Sequence, residues 1–260
     1  MWDKTWRQVK RAPTVICCRG ILTNLALELS MIAADSTQHD KAYYAKRLSG
    51  IKLEKVYELA SARVRRYLMA EIHLIASMLE PGLNILELGC GYGRVLSIFA
   101  QRVEEAWGID NSAESLALAT ERYPDLHLRQ MDAAHLEFED DAFDLVFGVQ
   151  NFISACKVEP QQLLLDAMRV TKPGGRVILT SYASQFWPHR LEWFRTQADH
   201  GLLGEIDDMA TGDGVIVCTD GFKATTFSLD DFKKLASSCE AEADFYTIDE
   251  SSVVLEVRVA

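Results

Sequence analysis

The chain has 260 residues and a mass of 29.2 kDa, and 48% of its residues are hydrophobic, which suits one α/β domain with additions. Its net charge of -11 and its pI near 5.0 oppose binding to phosphate backbones and to anionic membranes. Composition therefore argues against extended disorder and against a nucleic acid or a membrane as partner.

The six cysteines contain no CxxC pair, and Cys17 and Cys18 are the one adjacent pair. This spacing does not suggest a zinc site. Scattered thiols fit a reducing compartment, where cysteine behaves as a small hydrophobic residue. We therefore expect a cytoplasmic protein without a metal.

The first eighty residues are predicted to be helical. Basic residues precede an apolar stretch over 15–34, but Arg19, Asn24 and Glu28 interrupt it, so an amphipathic helix is favoured over an export signal or a membrane span. Residues 41–79 are rich in helix formers and stop at Pro81-Gly82.

After that stop, short apolar runs alternate with helical stretches, which predicts βαβ units and a parallel sheet. The predicted strands are Asn84–Leu88, Glu105–Asp110, Leu126–Met131, Phe143–Val149 and Arg176–Ser181. The predicted helices between them are Arg94–Arg102, Ser112–Arg122 and Glu159–Val170, with Lys172–Gly175 as a helix stop and turn before the fifth strand.

Residues 183–227 interrupt this alternation and are predicted to form an insertion over the site. Its last part, Val215–Phe227, is expected to be a hairpin on an Asp220-Gly221 turn. Ser228 then begins a helix that ends near Cys239, and Glu242–Ile248 with Val253–Val259 forms a final hairpin at the edge of the sheet.

Glycines at 89, 91 and 93 follow the first strand and open a helix, where they permit a sharp turn and close approach of a ligand. Asp110 ends the next strand about twenty residues later, where its carboxylate can accept hydrogen bonds from both hydroxyls of a ribose. Together these features predict a nucleoside site.

A nicotinamide dinucleotide site would need Gly-x-Gly-x-x-Gly to hold a pyrophosphate, but Arg94 occupies the third glycine position. Glu87 also places negative charge where the pyrophosphate would lie, and it suits a cationic amine or sulfonium instead. No Gly-Lys-Ser/Thr follows, so a P-loop is excluded.

Glu87–Gly93 resembles motif I of class I S-adenosylmethionine-dependent methyltransferases, particularly those that act on small molecules. Four further blocks match the family in order, and the resemblance covers about residues 81–181. They are Asp110-Asn111, Met131–Leu136, Phe143–Phe147 and Lys172–Arg176.

The resemblance implies a doubly wound, mostly parallel seven-stranded α/β sheet in the order 3-2-1-4-5-7-6, with the last strand antiparallel. Together with the residue pattern, it predicts an N-terminal helical cap over 1–80, a cofactor-binding core over 81–182, an insertion or lid over 183–227, and a C-terminal helix and hairpin over 228–260. The cofactor would be S-adenosylmethionine, with Asp132 accepting from the adenine amine and Ala133 donating its backbone N–H. The residues expected to bind it are Glu87, Gly89, Cys90, Gly91, Gly93, Asp110, Asn111, Asp132, Ala133, Gln150 and Tyr44.

The acceptor side is less determined by the sequence. Gln150 and Asn151, at a strand end, either orient the acceptor or simply form a turn, and Asn151 and His189 are the candidates for catalysis. Tyr43 and Tyr44 either approach the cofactor or pack in a helix, and His135 and His200 are weaker candidate bases. Four aromatic residues either form an apolar or cation-binding wall or pack within a lid: Phe186, Trp187, Trp193 and Phe194.

The function hypothesis is in-line methyl transfer to a small-molecule acceptor, for which the negative charge favours a neutral or cationic molecule. No Asn/Asp-Pro-Pro-Tyr/Phe block follows the fourth strand, which also argues against a nucleic acid base as acceptor. The alternatives are a regulatory or scaffolding protein that binds the cofactor without turnover, and an enzyme that uses an altered cofactor on the same fold. A homodimer stays open.

Overall fold

The computed structural model describes Tyr43 and residues 47–260. These residues lie within one compact unit that spans 39–260. The amphipathic helix predicted over 15–34 and Tyr44 lie outside the described residues. The four-part division at residues 80, 182 and 227 stays a prediction.

A seven-stranded sheet organises the molecule, in the order β3-β2-β1-β4-β5-β9-β8. Its strands are β1 (Asn84–Leu88), β2 (Glu105–Asp110), β3 (His127–Gln130), β4 (Phe143–Gly148), β5 (Thr171–Tyr182), β8 (Ala243–Ile248) and β9 (Ser252–Arg258). β1 to β5 are parallel, and β9 runs antiparallel to both β5 and β8. The predicted order and the antiparallel last strand are confirmed.

Helices cover both faces of the sheet because its strands alternate their side chains between two apolar clusters. The helices are α1 (Gly50–Glu58), α2 (Ala62–Ala76), α3 (Leu96–Phe99), α4 (Ala113–Arg122), α5 (Phe152–Ala155), α6 (Pro160–Arg169), α7 (Trp187–Asp199) and α8 (Leu229–Ser238). On one face, Ile85 and Phe147 pack with residues of α2 and α3. On the other, Leu86 and Val146 pack with residues of α6 and α8.

A third cluster lies beyond the carboxyl ends of the strands. It joins α1, α2 and α7 to a small hairpin of β6 (Ile216–Val217) and β7 (Lys223–Ala224). The predicted Asp220-Gly221 turn is confirmed, since the Gly221 N–H donates to the Cys218 carbonyl at 3.1 Å. This cluster therefore covers the edge of the sheet where a doubly wound fold binds ligands.

Several predicted boundaries were wrong. The helical stretch over 41–79 is interrupted between Glu58 and Ala62, where Ser61 caps α2 by accepting from the Val64 N–H. The helix predicted over 94–102 is one α-turn followed by a 3₁₀ turn over Ala100–Arg102.

The turn predicted at Lys172–Gly175 is part of β5 instead. The pairing of β5 with β4 shifts register between Phe143 and Leu145. The Gly174 N–H then donates to the Val259 carbonyl at 2.8 Å. A bulge thus absorbs the glycines without ending the strand.

Ser228 begins α8, as the sequence predicted, and the structure shows a capping box there. The Ser228 hydroxyl accepts from the Asp231 N–H at 3.2 Å, and the Asp231 carboxylate accepts from the Ser228 N–H at 2.9 Å.

We expect Ser228→Ala to lower the free energy of unfolding by about 1 kcal/mol, because the Asp231 N–H at the helix start then loses its side-chain acceptor. Urea denaturation measures this loss, and Ser237→Ala at an exposed site in the same helix should show none; equal losses would contradict the assignment.

Candidate functional site

The loop after β1 is held in a left-handed backbone conformation at Gly89, Gly91 and Gly93, with φ of 71°, 54° and 78°. An ideal Cβ at Gly89 would lie 2.2 Å from Cδ2 of Phe152, and one at Gly148 would lie 2.7 Å from Cδ1 of the same ring. The Phe152 ring therefore packs directly on the backbone of both β1 and β4. Side chains are excluded at Gly89 for two separate reasons, conformation and contact.

Asp110 is fixed by backbone donors at the end of β2. Its Oδ2 accepts from the Gly91 N–H at 2.9 Å and its Oδ1 accepts from the Ser112 N–H at 2.8 Å. Each carboxylate oxygen keeps a further acceptor position. The same side chain thus shapes the glycine loop and presents oxygens to the adjacent space.

Glu87 lies 4% exposed at the end of β1, and its Oε2 has no hydrogen-bond partner among the described residues. Burial raises the pKa of Glu87 to about 8, although the Arg94 guanidinium acts in the opposite direction. A buried carboxyl with an unmet acceptor costs stability unless a ligand donates to it. The group therefore suits a ligand with a positively charged donor.

Arg94 and Tyr57 form a contact that the sequence analysis missed. The Arg94 guanidinium lies 4.1 Å from the centroid of the Tyr57 ring, and its Nη2 donates to Gln150 Oε1 at 2.6 Å. Arg94 thereby connects the glycine loop, α1 and the end of β4. The position of Arg94 directly after Gly93 was the signal that it lies near the glycine loop. The sequence analysis used that position only to argue against a dinucleotide site.

The turn after β4 contains two consecutive left-handed residues that are not glycine, Gln150 and Asn151, with φ of 59° and 65°. Glu71 on α2 stabilises this turn, since its Oε2 accepts from the Gln150 N–H at 2.6 Å and its Oε1 accepts from the Ser252 hydroxyl at 2.6 Å. Burial raises the pKa of Glu71 to about 7, against the effect of these hydrogen bonds. Glu71 lies three residues after Leu68 and four after Tyr67, on the apolar stripe of α2, so helical spacing was the signal for its burial that the sequence analysis missed.

A single cavity brings most of the predicted residues together at the carboxyl ends of the strands. On the side of β1, β2 and β3 it is lined by Glu87, Gly89, Cys90, Gly91, Tyr92, Ile109, Asp110, Asn111, Ser112, Met131, Asp132 and Ala133. On the side of β4 and β5 it is lined by Gln150, Asn151, Phe152, Tyr182, Trp193, Phe194 and Gln197, with Leu48, Leu53, Val56 and Tyr57 from the α1 region. Arg94 lies between the two sides.

On the side of β1, β2 and β3, the turn after β3 contributes two residues that were predicted to bind the cofactor. The exposed Asp132 accepts from the Ala134 N–H at 2.9 Å through its Oδ1. Within the described part of the chain, no hydrogen bond is recorded for the N–H of Ala133, which is 7% exposed. This N–H is therefore available to a ligand.

Some predicted residues lie elsewhere. An ideal Cβ at Gly93 would be 3.1 Å from Leu126 Cδ1, so Gly93 serves helix packing rather than the cavity lining. The Tyr43 hydroxyl donates to Asp220 Oδ2 at 2.7 Å, which attaches it to the β6–β7 turn. The binding role of Tyr44 lies outside the described residues and stays a prediction.

Of the catalytic candidates, Asn151 lines the cavity and His189 does not. The Asn151 amide is engaged, since its Oδ1 accepts from the Ser181 hydroxyl at 2.6 Å and its Nδ2 donates to the Thr225 carbonyl at 3.0 Å. His189 packs on the Phe186 ring with centroids 5.8 Å apart and is not among the lining residues. Neither His135 nor His200 lines the cavity, and both are exposed.

The described residues hold no group of three His, Cys, Asp or Glu side chains placed to bind a metal ion. In the same part of the chain, no helix is long and apolar enough to cross a membrane. The cysteines that the structure describes are Cys90, Cys156, Cys218 and Cys239, and all four have free thiols.

Residues 85–175 match the family model described as a methyltransferase domain. Over this range, which is less than half of the chain, the protein is similar to methyltransferase domains. The matched range begins in β1 and ends in β5, so it contains the glycine loop, Asp110 and the β4 turn.

Curated relatives are similar to part of the chain. Phosphatidylethanolamine N-methyltransferase from Cereibacter sphaeroides is 36% identical over 107 residues, which is 39% of this chain and 51% of the relative. Demethylmenaquinone methyltransferase from Paenarthrobacter aurescens is 30% identical over 133 residues, which is 50% of each chain. The chain thus spans about half the length of these relatives.

Solved structures share the fold over a larger part of the chain. A protein from Thermotoga maritima described as a possible histamine N-methyltransferase aligns with a TM-score of 0.59 at 16% identity, over 85% of this chain and 100% of its own. A SAM-dependent methyltransferase from Aquifex aeolicus aligns with a TM-score of 0.55 at 13% identity, over 80% and 98%. These likenesses confirm the Rossmann-like fold.

Gly89→Ala tests the contact between Phe152 and the loop. We expect it to lower the free energy of unfolding by about 1 to 3 kcal/mol for overpacking, in addition to about 1 kcal/mol for left-handed strain. Gly174→Ala is the matched control, because Gly174 has a φ of 81° but nothing within 4 Å of an added Cβ. Equal losses in urea denaturation would show that the Phe152 contact contributes nothing.

Glu71→Gln tests the buried carboxyl through pH. Because the pKa of Glu71 is raised to about 7 from 4.5, the unfolded chain ionises first as pH rises, and the folded state loses stability until about pH 7. We expect the free energy of unfolding of the parent to fall across this range relative to Glu71→Gln, which cannot ionise. Glu80→Gln, at an exposed position, should follow the parent; parallel curves for all three proteins would contradict the assignment.

Proposed function

We propose that this chain is an S-adenosylmethionine-dependent methyltransferase that transfers a methyl group to a small-molecule acceptor. The observation that carries the proposal is the cluster at the ends of β1 and β2, where a buried acid with one unpartnered oxygen and a fixed carboxylate flank a glycine loop. Glu87 and Asp110 belong to that cluster, and the family uses S-adenosylmethionine as its cofactor.

The residues present fit this cofactor. Glu87 would accept from its ammonium group, which would satisfy the orphaned Oε2. Asp110 would accept from the ribose hydroxyls, while Asp132 and the Ala133 N–H would contact the adenine. The remaining proposed contacts are with Gly89, Cys90, Gly91, Asn111 and Gln150, all of which line the cavity.

When bound, S-adenosylmethionine supplies a methyl group on a sulfonium, which leaves by in-line displacement. The protein then has to orient the acceptor and exclude water, and such positioning contributes about 7 to 11 kcal/mol to rate acceleration. Tyr57, Trp193 and Phe194 line the opposite side of the cavity and can exclude water there. No fixed base is required for this role, which agrees with the positions of the histidines.

A small molecule is the acceptor class that the chain's features favour. The net charge of -11 disfavours a phosphate backbone, and relatives of similar sequence are named for phosphatidylethanolamine, demethylmenaquinone and malonyl-[acyl-carrier protein]. The free thiols suit action in the cytoplasm. These substrates are named for the relatives only. They indicate how varied the acceptors of similar enzymes are.

Asp110→Ala tests the cofactor site. We expect it to weaken binding of S-adenosylmethionine and S-adenosylhomocysteine by about 10- to 150-fold, because charge-assisted hydrogen bonds to the ribose are lost. Isothermal titration calorimetry measures both ligands. Asp125→Ala, at an exposed position before β3, should bind like the parent protein, and unchanged binding by folded Asp110→Ala would contradict the proposal.

Turnover is tested separately from binding. Incubation of the protein and labelled S-adenosylmethionine with a small-molecule extract should give a methylated product detectable by mass spectrometry, and the Asp110→Ala variant should give much less. Confirmed binding without any product across extracts would instead favour a regulatory or scaffolding protein.

A further inference from the structure

The β4–β5 side of the cavity differs in chemistry from the β1–β3 side. Among the described lining residues, the acidic ones are Glu87, Asp110 and Asp132, and all three belong to the β1–β3 side. The β4–β5 side presents aromatic rings from α1, β5 and α7: Tyr57, Tyr182, Trp193 and Phe194. We call these four residues the aromatic wall.

Three of the four rings of the aromatic wall lie close to a cation of the protein itself. Arg94 lies 4.1 Å from the Tyr57 centroid, and Arg190 lies 4.6 Å from that of Tyr182 and 5.4 Å from that of Phe194. Arg190 is 1% exposed and is not among the lining residues of this cavity, and its Nη1 donates to the Gly214 carbonyl at 2.7 Å, which fixes its position. A cationic ligand beside these rings would be repelled by the guanidinium groups.

Gln197 provides the polar group on this side. It projects from α7, is 2% exposed and lines the cavity, and its Nε2 is buried and has no hydrogen-bond partner within the described part of the chain. A buried N–H donor without a partner is costly, and the amide oxygen beside it can accept. A hydroxyl or carbonyl oxygen on a ligand would satisfy it.

We propose that the β4–β5 side binds a flat, uncharged ring that bears a hydroxyl or carbonyl oxygen, with Gln197 as its hydrogen-bond partner, and that it discriminates against cationic amines. The aromatic wall supplies stacking area, while the Arg94 and Arg190 guanidinium groups place positive charge beside it, although the protein's net charge is -11. The cationic acceptor that the overall charge favoured is therefore rejected. This inference rests on the proposed function, since it assigns the acceptor half of the same cavity.

The test uses three matched single-ring probes on the 260-residue protein saturated with S-adenosylhomocysteine: p-cresol, toluene and benzylamine. Calorimetry should show that p-cresol binds about 3- to 10-fold more tightly than toluene, because its hydroxyl forms one hydrogen bond with Gln197. Benzylamine, which is cationic at neutral pH, should bind at least about tenfold more weakly than p-cresol. Equal or tighter binding of benzylamine would overturn the proposal.

Two variants separate the contributions. Gln197→Leu should reduce p-cresol to the affinity of toluene and leave toluene unchanged, whereas Gln162→Leu, at an exposed site on α6, should alter neither. Arg190→Met, which keeps similar length without charge, should bring benzylamine within about threefold of p-cresol. Retained S-adenosylhomocysteine binding identifies the variants that are folded.

The outcomes also distinguish the two proposals. If the parent protein binds S-adenosylhomocysteine but none of the probes, the acceptor assignment is overturned while the cofactor proposal stands. If the folded parent does not bind S-adenosylhomocysteine, the proposed function itself fails. A p-cresol preference that persists in Gln197→Leu would overturn the role of Gln197.

Discussion

The buried carboxyl of Glu71 is the constraint on which the ligand-facing end of the sheet depends. Two successive left-handed residues, Gln150 and Asn151, are a strained arrangement that costs about 1 kcal/mol or more for each. Hydrogen bonds from the Gln150 N–H to Glu71, and from the Asn151 amide to the Thr225 carbonyl, offset that cost. The turn thereby keeps β4, α2 and the segment after β7 in one arrangement.

From this turn, contacts continue to the glycine loop and to α1. Gln150 accepts from Arg94, and Arg94 lies over the Tyr57 ring, while Phe152 packs on Gly89. Direct contacts therefore join the β1–β3 side and the β4–β5 side of the cavity, although the two sides differ in charge. Displacement of the β4 turn would alter both sides together.

The motif blocks were predictable because they depend on short segments. A glycine loop needs left-handed backbone at fixed spacing, and Asp110 needs to end the next parallel strand, so both follow from local pattern and strand order. The Asp220-Gly221 hairpin and the Ser228 cap are likewise local. Predicted element boundaries were wrong where pairing with a neighbouring strand decided them. At Lys172–Gly175, pairing with β4 and β9 makes the predicted turn a bulge within β5.

The sequence by itself determined the fold class and the polar residues of the β1–β3 side, because each rests on periodicity or on residues close in the chain, while the strand order was implied by the family resemblance. Tertiary structure alone decided that Glu71 accepts from the β4 turn, that Arg94 and Arg190 lie over rings of the aromatic wall, and that Gln197 enters the cavity. Those contacts join residues far apart in sequence, and charge and burial at such places depend on which elements meet. The β4–β5 side is built almost wholly from such contacts, whereas the β1–β3 side is built from consecutive strand ends.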